Sequence, residues 1–255
     1  MASVDLNCDM GESWGAYTMG DDAAMLRIVT TANVACGFHG GDPLVMHDTL
    51  TLAKRNGVQI GAHPSYLDPW GFGRRRIVGD DPADLAKMIV YQVGAIREMA
   101  AYVGLKVAHV KPHGTLGNAC QENDALAEML ARTVKAIDRD LILMVMPGGS
   151  LERAGEKMGL RIAREVFADR AYDDRGMLVS RKLPGAVIHD ADLAATNVMR
   201  MVQERAVISV TGKRVPVAVD TICVHGDNPA AVAMAGAVRR ALEGAGVALR
   251  GLSAE

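Results

Sequence analysis

One recurrence limits what this chain can fold into. A short apolar run suited to a buried strand gives way, within a few positions, to glycine beside a histidine, lysine or carboxylate, and a helical pattern follows. Residues 32–43, ANVACGFHGGDP, show it: small apolar side chains run to Cys36, then come Gly37, His39, Gly40, Gly41 and Asp42. The candidate strands are SVDLNC (3–8), TANVAC (31–36), VQIGA (58–62), KVAHV (106–110), LILMVM (141–146), RIAREVF (161–167) and AVDTICV (218–224). The clearest helix is 82–103, where Leu85, Met88, Ile89, Val93, Ile96, Met99, Ala100 and Val103 recur on one face. Asp81-Pro82 supplies an N-cap acceptor and a proline at the first helical position, and Asp42-Pro43 and Asn228-Pro229 repeat that start signal.

Apolar strands buried on both faces and joined by helices mean a parallel sheet, either closed into a barrel or open and doubly wound. A hairpin near 207–219 interrupts the rhythm: VISV and VPVAV flank Thr211-Gly212-Lys213-Arg214, and Pro216 suits an edge. Neither a linker nor a 20–50-residue repeat is visible, so a single domain over 1–255 is expected. A formal net charge of −2 gives no reason to expect nucleic acid or a membrane surface as partner. The N-terminal stretch lacks a secretory pattern, no apolar run reaches membrane-span length, and the four cysteines show no paired spacing. Cys8, Cys36 and Cys223 sit in strand-like runs and read as small hydrophobes. Reduced thiols in the cytoplasm are the expectation.

Polar residues follow every strand. Asn7, Asp9 and Glu12 come after the first, His39 and Asp42 after the second, His63 and then Arg74 after the third, Lys111 and His113 after the fourth. Gly148 and Gly149 follow the fifth; Glu165, Asp169 and Arg170 surround the end of the sixth; His225 closes the last. In parallel α/β folds the C-terminal strand ends form one rim, where ligands bind, so these side chains are expected to converge. Plainer readings stand beside this one. Asp42 is equally a helix cap, Asp169-Arg170 a plain ion pair, His109 a core histidine, and His47 and His189 surface residues. No GxxxxGK(S/T), no HExxH and no GxGxxG after the first strand occurs. A His, Asp, Lys and Arg set without an evident nucleophilic Ser or Cys suits hydrolytic or acid–base chemistry with electrostatic stabilisation of an oxyanion.

DLNCDMGES, ANVACGFHGGDP, GAHPSYLDPWGFGRR, HVKPHGTLGN, EVFADRAY and ICVHGD, in that order, resemble the LamB/YcsF family, the A-subunits of 5-oxoprolinase. The resemblance implies an irregular seven-stranded β/α barrel, TIM-like and related to glycoside hydrolases and sugar deacetylases. It also implies ATP-dependent opening of 5-oxo-L-proline to L-glutamate together with partner subunits B and C. This chain has Thr115 and Gly117 where the family has alanine and tyrosine.

With no phosphate-binding loop here, ATP is expected on the partners, which would phosphorylate the lactam oxygen for this chain to hydrolyse the intermediate. Asp9, His39 and His63 are then expected to activate water, and Lys111 and His113 to stabilise negative charge. Arg74, or the Gly148 and Gly149 amides, would hold a carboxylate or phosphate; Asn7, Glu12, Asp42, Glu165, Asp169, Arg170 and His225 complete the expected substrate contacts. The deacetylase kinship raises a divalent metal on Asp9, His39 and His63, which phosphate activation would make dispensable. Two rivals remain: a metal-dependent deacetylase or amide hydrolase working alone on a sugar-like substrate, and a non-catalytic binding module of a larger complex.

Overall fold

The computed structural model describes residues 3–252, so residues 1–2 and 253–255 of the expected 1–255 domain lie outside the described residues. The chain order is β1 (Ser3–Met10), α1 (Asp22–Met25), β2 (Thr31–Ala35), α2 (Pro43–Asn56), β3 (Gln59–His63), α3 (Pro82–Val103), β4 (Val107–Val110), α4 (Gly114–Glu122) and α5 (Asp124–Ile137). It continues with β5 (Ile142–Val145), α6 (Ser150–Lys157), β6 (Arg161–Phe167), α7 (Ala191–Glu204), β7 (Ala206–Ile208), β8 (Arg214–Pro216), β9 (Thr221–Cys223), α8 (Pro229–Gly244) and β10 (Ala248–Leu249).

Strands β1 to β6 pair in sequence order, all parallel; β9 pairs with β6 on one side and with β1 on the other. That last pairing, Asp5↔Thr221 to Asn7↔Cys223, closes a seven-stranded barrel. The choice left open by the sequence is thereby decided for the TIM-like barrel. β10 lies against the base of β1, and β7 and β8 form the expected hairpin, antiparallel and outside the barrel. Among the described residues no helix is long and apolar enough to cross a membrane.

Side chains alternate across each strand, and here the alternation separates two environments. Leu6, Cys8 and Met10 of β1, like Ala32 and Val34 of β2, are buried in the shell packed by Leu50 and Ala53 of α2 and Ile89, Val93 and Ile96 of α3. Each such Leu or Ile contributes about 1.5–3 kcal/mol. The opposite face of β1 carries Asp5, Asn7 and Asp9, that of β2 Thr31 and Asn33, and that of β9 Thr221 and Cys223, so the barrel interior is largely polar. Ile142, Met144 and Ala163 form a separate small apolar cluster, with Leu252 packed against it.

The helix signals act as expected. Asp81 caps α3, accepting from Ala83 N at 2.8 Å, and Gly104 ends it in the left-handed region at φ 78°. Asn228 caps α8. Gly61 of β3 is required by packing: a Cβ there would fall 2.1 Å from the His109 ring reaching across from β4.

Candidate active site

At the C-terminal strand ends, β1, β3 and β4 with the loops after β1, β2, β3 and β4 bring Asp9, Glu12, His39, His63, Lys111 and His113 together. The histidine protons follow from elementary bonding. His63 Nδ1 lies 2.7 Å from the Lys111 carbonyl and His113 Nε2 lies 2.9 Å from the Phe72 carbonyl. A carbonyl only accepts, so both nitrogens carry hydrogen; His63 Nε2 and His113 Nδ1 then face each other across 3.0 Å, lone pair to lone pair unless a cation lies between them. Burial drives the His113 pKa down to about 2, with His39 and His63 adding to the shift, and burial likewise holds His39 well below the usual histidine range. His39 stacks on His113 with ring centres 3.6 Å apart, and its Nε2 is 3.0 Å from Glu12 Oε1. Burial, reinforced by the Asp9 charge, pushes the Glu12 carboxyl upward.

Phe72 holds its carbonyl over His113 from a left-handed conformation at φ 54°. That is costly for a bulky residue, about 1–3 kcal/mol, and persists only where surroundings enforce it. The surroundings are visible. Asp68 accepts from Gly71 N at 3.0 Å and from Arg75 Nε at 2.7 Å. Thr115 Oγ1 lies 2.8 Å from the Gly73 carbonyl and 2.8 Å from the Arg75 carbonyl, within reach to donate to either. The departure at Thr115 therefore clasps this loop, a role its sequence neighbours did not signal.

Beside the histidines sits a charge network. Lys111 Nζ is 2.8 Å from Asp9 Oδ1, 2.7 Å from Glu165 Oε1 and 3.5 Å from Cys223 Sγ. Burial works against its charge, but the two carboxylates and the thiol hold its pKa well above the ordinary value, so it stays an ammonium. Burial also opposes ionisation of Asp9, yet the Lys111 ammonium outweighs it and keeps Asp9 ionised, with His63 Nε2 3.3 Å from its Oδ2. Across the mouth His225 Nδ1 lies 2.8 Å from Asp169 Oδ2, and that carboxylate overcomes burial to raise the His225 pKa. Arg74 is exposed, its guanidinium 5.1 Å from the Phe72 ring centre.

Several expected ligands have polar atoms engaged within the fold. Asn7 is fully buried, donating to Thr221 Oγ1 at 2.7 Å and accepting from Asn33. Asp42 caps α2 through Leu44 N and Val45 N, while its other oxygen accepts from Gly15 N at 2.7 Å. Arg170 is buried and donates to the Val179 carbonyl at 2.6 Å and the Ala186 carbonyl at 3.3 Å; it pins a loop, while Asp169 pairs with His225. The Gly148 amide is taken by Glu152 Oε2 at 2.6 Å, and Gly149 abuts Gln121 so closely that a Cβ would meet it at 1.9 Å. Among the described residues, donor atoms within 4.8 Å of one another form two groups, Glu12, His39, His63 and His113 in one and Asp9, Cys223 and His225 in the other, so the expected trio Asp9, His39 and His63 is divided between them; Asp9 Oδ1 is held by Lys111 and Asn33. His109 is a core residue, bonded through Nε2 to Asn33 Oδ1 at 2.7 Å. Cys223, read as a small hydrophobe, faces Lys111; its alternation with Thr221 and His225 was the signal for that.

A closed parallel β/α barrel with a buried acid–base cluster at its C-terminal rim defines the class. Within that class the chain belongs to the LamB/YcsF family, whose model matches residues 4–255. It is 51% identical over 249 residues to the 5-oxoprolinase A-subunit of Rhodopseudomonas palustris, covering 98% of each chain. It is also 51% identical over 251 residues to that of Gluconobacter oxydans, again covering 98% of each. Among solved structures, the lactam utilization protein from Thermus thermophilus superposes with a TM-score of 0.93 at 43% identity, over 97% of this chain and 99% of that one.

Proposed function

We propose that this chain is the lactam-hydrolysing component of a cytoplasmic, ATP-dependent 5-oxoprolinase. Partner subunits B and C bind ATP and phosphorylate the lactam oxygen of 5-oxo-L-proline. This chain then opens the activated ring to L-glutamate. A five-membered lactam is a stable amide, which is why activation must come first. Water adds to the ring carbon, the ring C–N bond breaks, and the released nitrogen takes a proton. The acyl phosphate so formed loses phosphate to a second water.

The observation that carries this reading is an ionised Asp9 held between Lys111 and His63 at the rim. Asp9 takes the proton of the attacking water. Lys111, an ammonium already in place, stabilises the oxyanion without reorganisation. His225, its pKa raised by the Asp169 carboxylate against the pull of burial, and Arg74 above Phe72 neutralise phosphate or carboxylate at the mouth. The relatives named as 5-oxoprolinase A-subunits and the lactam utilization protein support this substrate class.

Glutamate release from 5-oxoproline and ATP is to be measured with this chain alone, with B and C alone, and with all three. Only the complete mixture is expected to produce glutamate. Asp9→Ala is expected to lower turnover by about 10²–10⁴-fold. A complete mixture that makes no glutamate, or an Asp9→Ala variant near normal turnover, overturns the reading.

A further inference from the structure

His63 and His113 pose a problem that neither the fold nor the reaction above resolves. Two lone pairs directed at one another across 3.0 Å repel unless a cation lies between them. Their outer nitrogens are fixed as donors by backbone carbonyls, in the way metal-ligating histidines are oriented by an outer hydrogen bond. Glu12 Oε1 stands 3.5 Å from His113 Nδ1. A tetrahedral ion with donors about 2.0–2.1 Å away would set those donors about 3.3–3.4 Å apart. The separations of 3.0 and 3.5 Å bracket that spacing. Two imidazoles and one carboxylate leave a coordination position open, the arrangement of a catalytic rather than a structural site.

We propose that His63, His113 and Glu12 bind one divalent transition-metal ion, with zinc as the natural probe, and that His39 positions Glu12. The stacking sets His39 apart as a non-ligand. Its ring is within 7° of parallel to His113 at 3.6 Å, so the in-plane lone pairs of the two rings run side by side instead of converging. What its Nε2 does reach is Glu12 Oε1. Asp9, engaged by Lys111 and Asn33, stays outside the ligand set and remains available as the base. When bound, the ion would polarise a substrate oxygen and acidify an adjacent water.

The test needs neither substrate nor partner, so it fails or succeeds independently of the 5-oxoprolinase reading. The full chain is stripped with chelator, dialysed and titrated with Zn2+ by calorimetry, and with Co2+ by visible absorption. One equivalent is expected, with the intense absorption of four- or five-coordinate cobalt. His63→Ala and His113→Ala are expected to weaken binding by more than about 100-fold, and His39→Ala by about 10–100-fold as an orienting partner. Glu12→Gln, at a partly exposed position, gives a ligand variant that preserves packing, and circular dichroism checks the fold of each. Asp9→Asn is expected to keep full stoichiometry. Absence of stoichiometric binding, or folded His63 and Glu12 variants that bind as the parent does, overturns the site in favour of a proton shared between the two rings.

Discussion

Asp5 and Asp9 stand on the same face of one strand, and their surroundings are opposites. Asp5, at the base of the barrel, accepts from Thr30 Oγ1 at 2.7 Å, from Thr31 Oγ1 at 2.5 Å and from Thr221 Oγ1. The hydrogen bonds continue from Thr221 to Asn7 and Asn33 and on to Asp9, with His109 donating from the side. Its side-chain partners are neutral hydroxyls, and burial pushes the Asp5 pKa to about 6. Asp9, one layer higher, meets an ammonium and an imidazole and stays ionised. The lower layer is built of neutral donors matched to acceptors, which is what a rigid polar core needs. In the upper layer charges face one another and histidine lone pairs are left open, which is what chemistry needs. Burial alone therefore does not separate framework from site; the partners do.

The contrast breaks first at Lys111. Lys111→Met removes the cation between two buried carboxylates, Asp9 and Glu165. A stability loss of about 3–5 kcal/mol is expected, with turnover down by about 10³-fold. Urea unfolding and glutamate release by the assembled system check both. Retained turnover would mean that the upper layer is framework too.

Asp5→Asn probes the lower layer. A carboxyl whose folded pKa, about 6, exceeds its ordinary value of 3.8 binds its proton more tightly in the folded state. Its contribution to stability is therefore fully present below about pH 4 and lost as pH rises through about 6. The parent should consequently lose ground to Asp5→Asn between those limits, by on the order of 3 kcal/mol, while turnover per folded molecule is unchanged. A flat difference between the two unfolding curves across that range, or a loss of turnover like that of Lys111→Met, would erase the distinction.

The smallest effect is expected at the mouth. Asp169→Asn removes the carboxylate that raises the His225 pKa, so the alkaline fall-off of activity should move to lower pH, with the plateau below it retained. A pH–rate profile that does not move takes His225 out of the charged machinery.

The strand and helix positions were legible because periods of two and 3.6 are written in which residues are apolar, and Asp-Pro and Asn-Pro mark helix starts. The helix expected at 82–103 is α3 itself. Which polar residues reach the rim was legible only in part. Asn7, Asp42 and Arg170 have the side chains of a site and the neighbours of a site, yet their polar atoms are committed to Thr221, to helix amides and to loop carbonyls. Nothing in residue type records which partner an atom will find across more than 200 positions. The Phe72 carbonyl was invisible for a related reason, since backbone groups that orient His113 carry no signature in sequence.

The pairing of β1 with β9 has a consequence in time. Asn7 and Thr221 are 214 positions apart, so one edge of the first strand stays unpaired until nearly the whole chain has left the ribosome. At about 5–20 residues per second that is roughly 10–40 s of exposure. An open strand edge invites pairing with a neighbouring chain, and inward-pointing charges discourage it. During that wait Asp5 and Asp9 would be hydrated carboxylates on a bare edge, guarding the nascent strand before either takes up its place in the finished barrel.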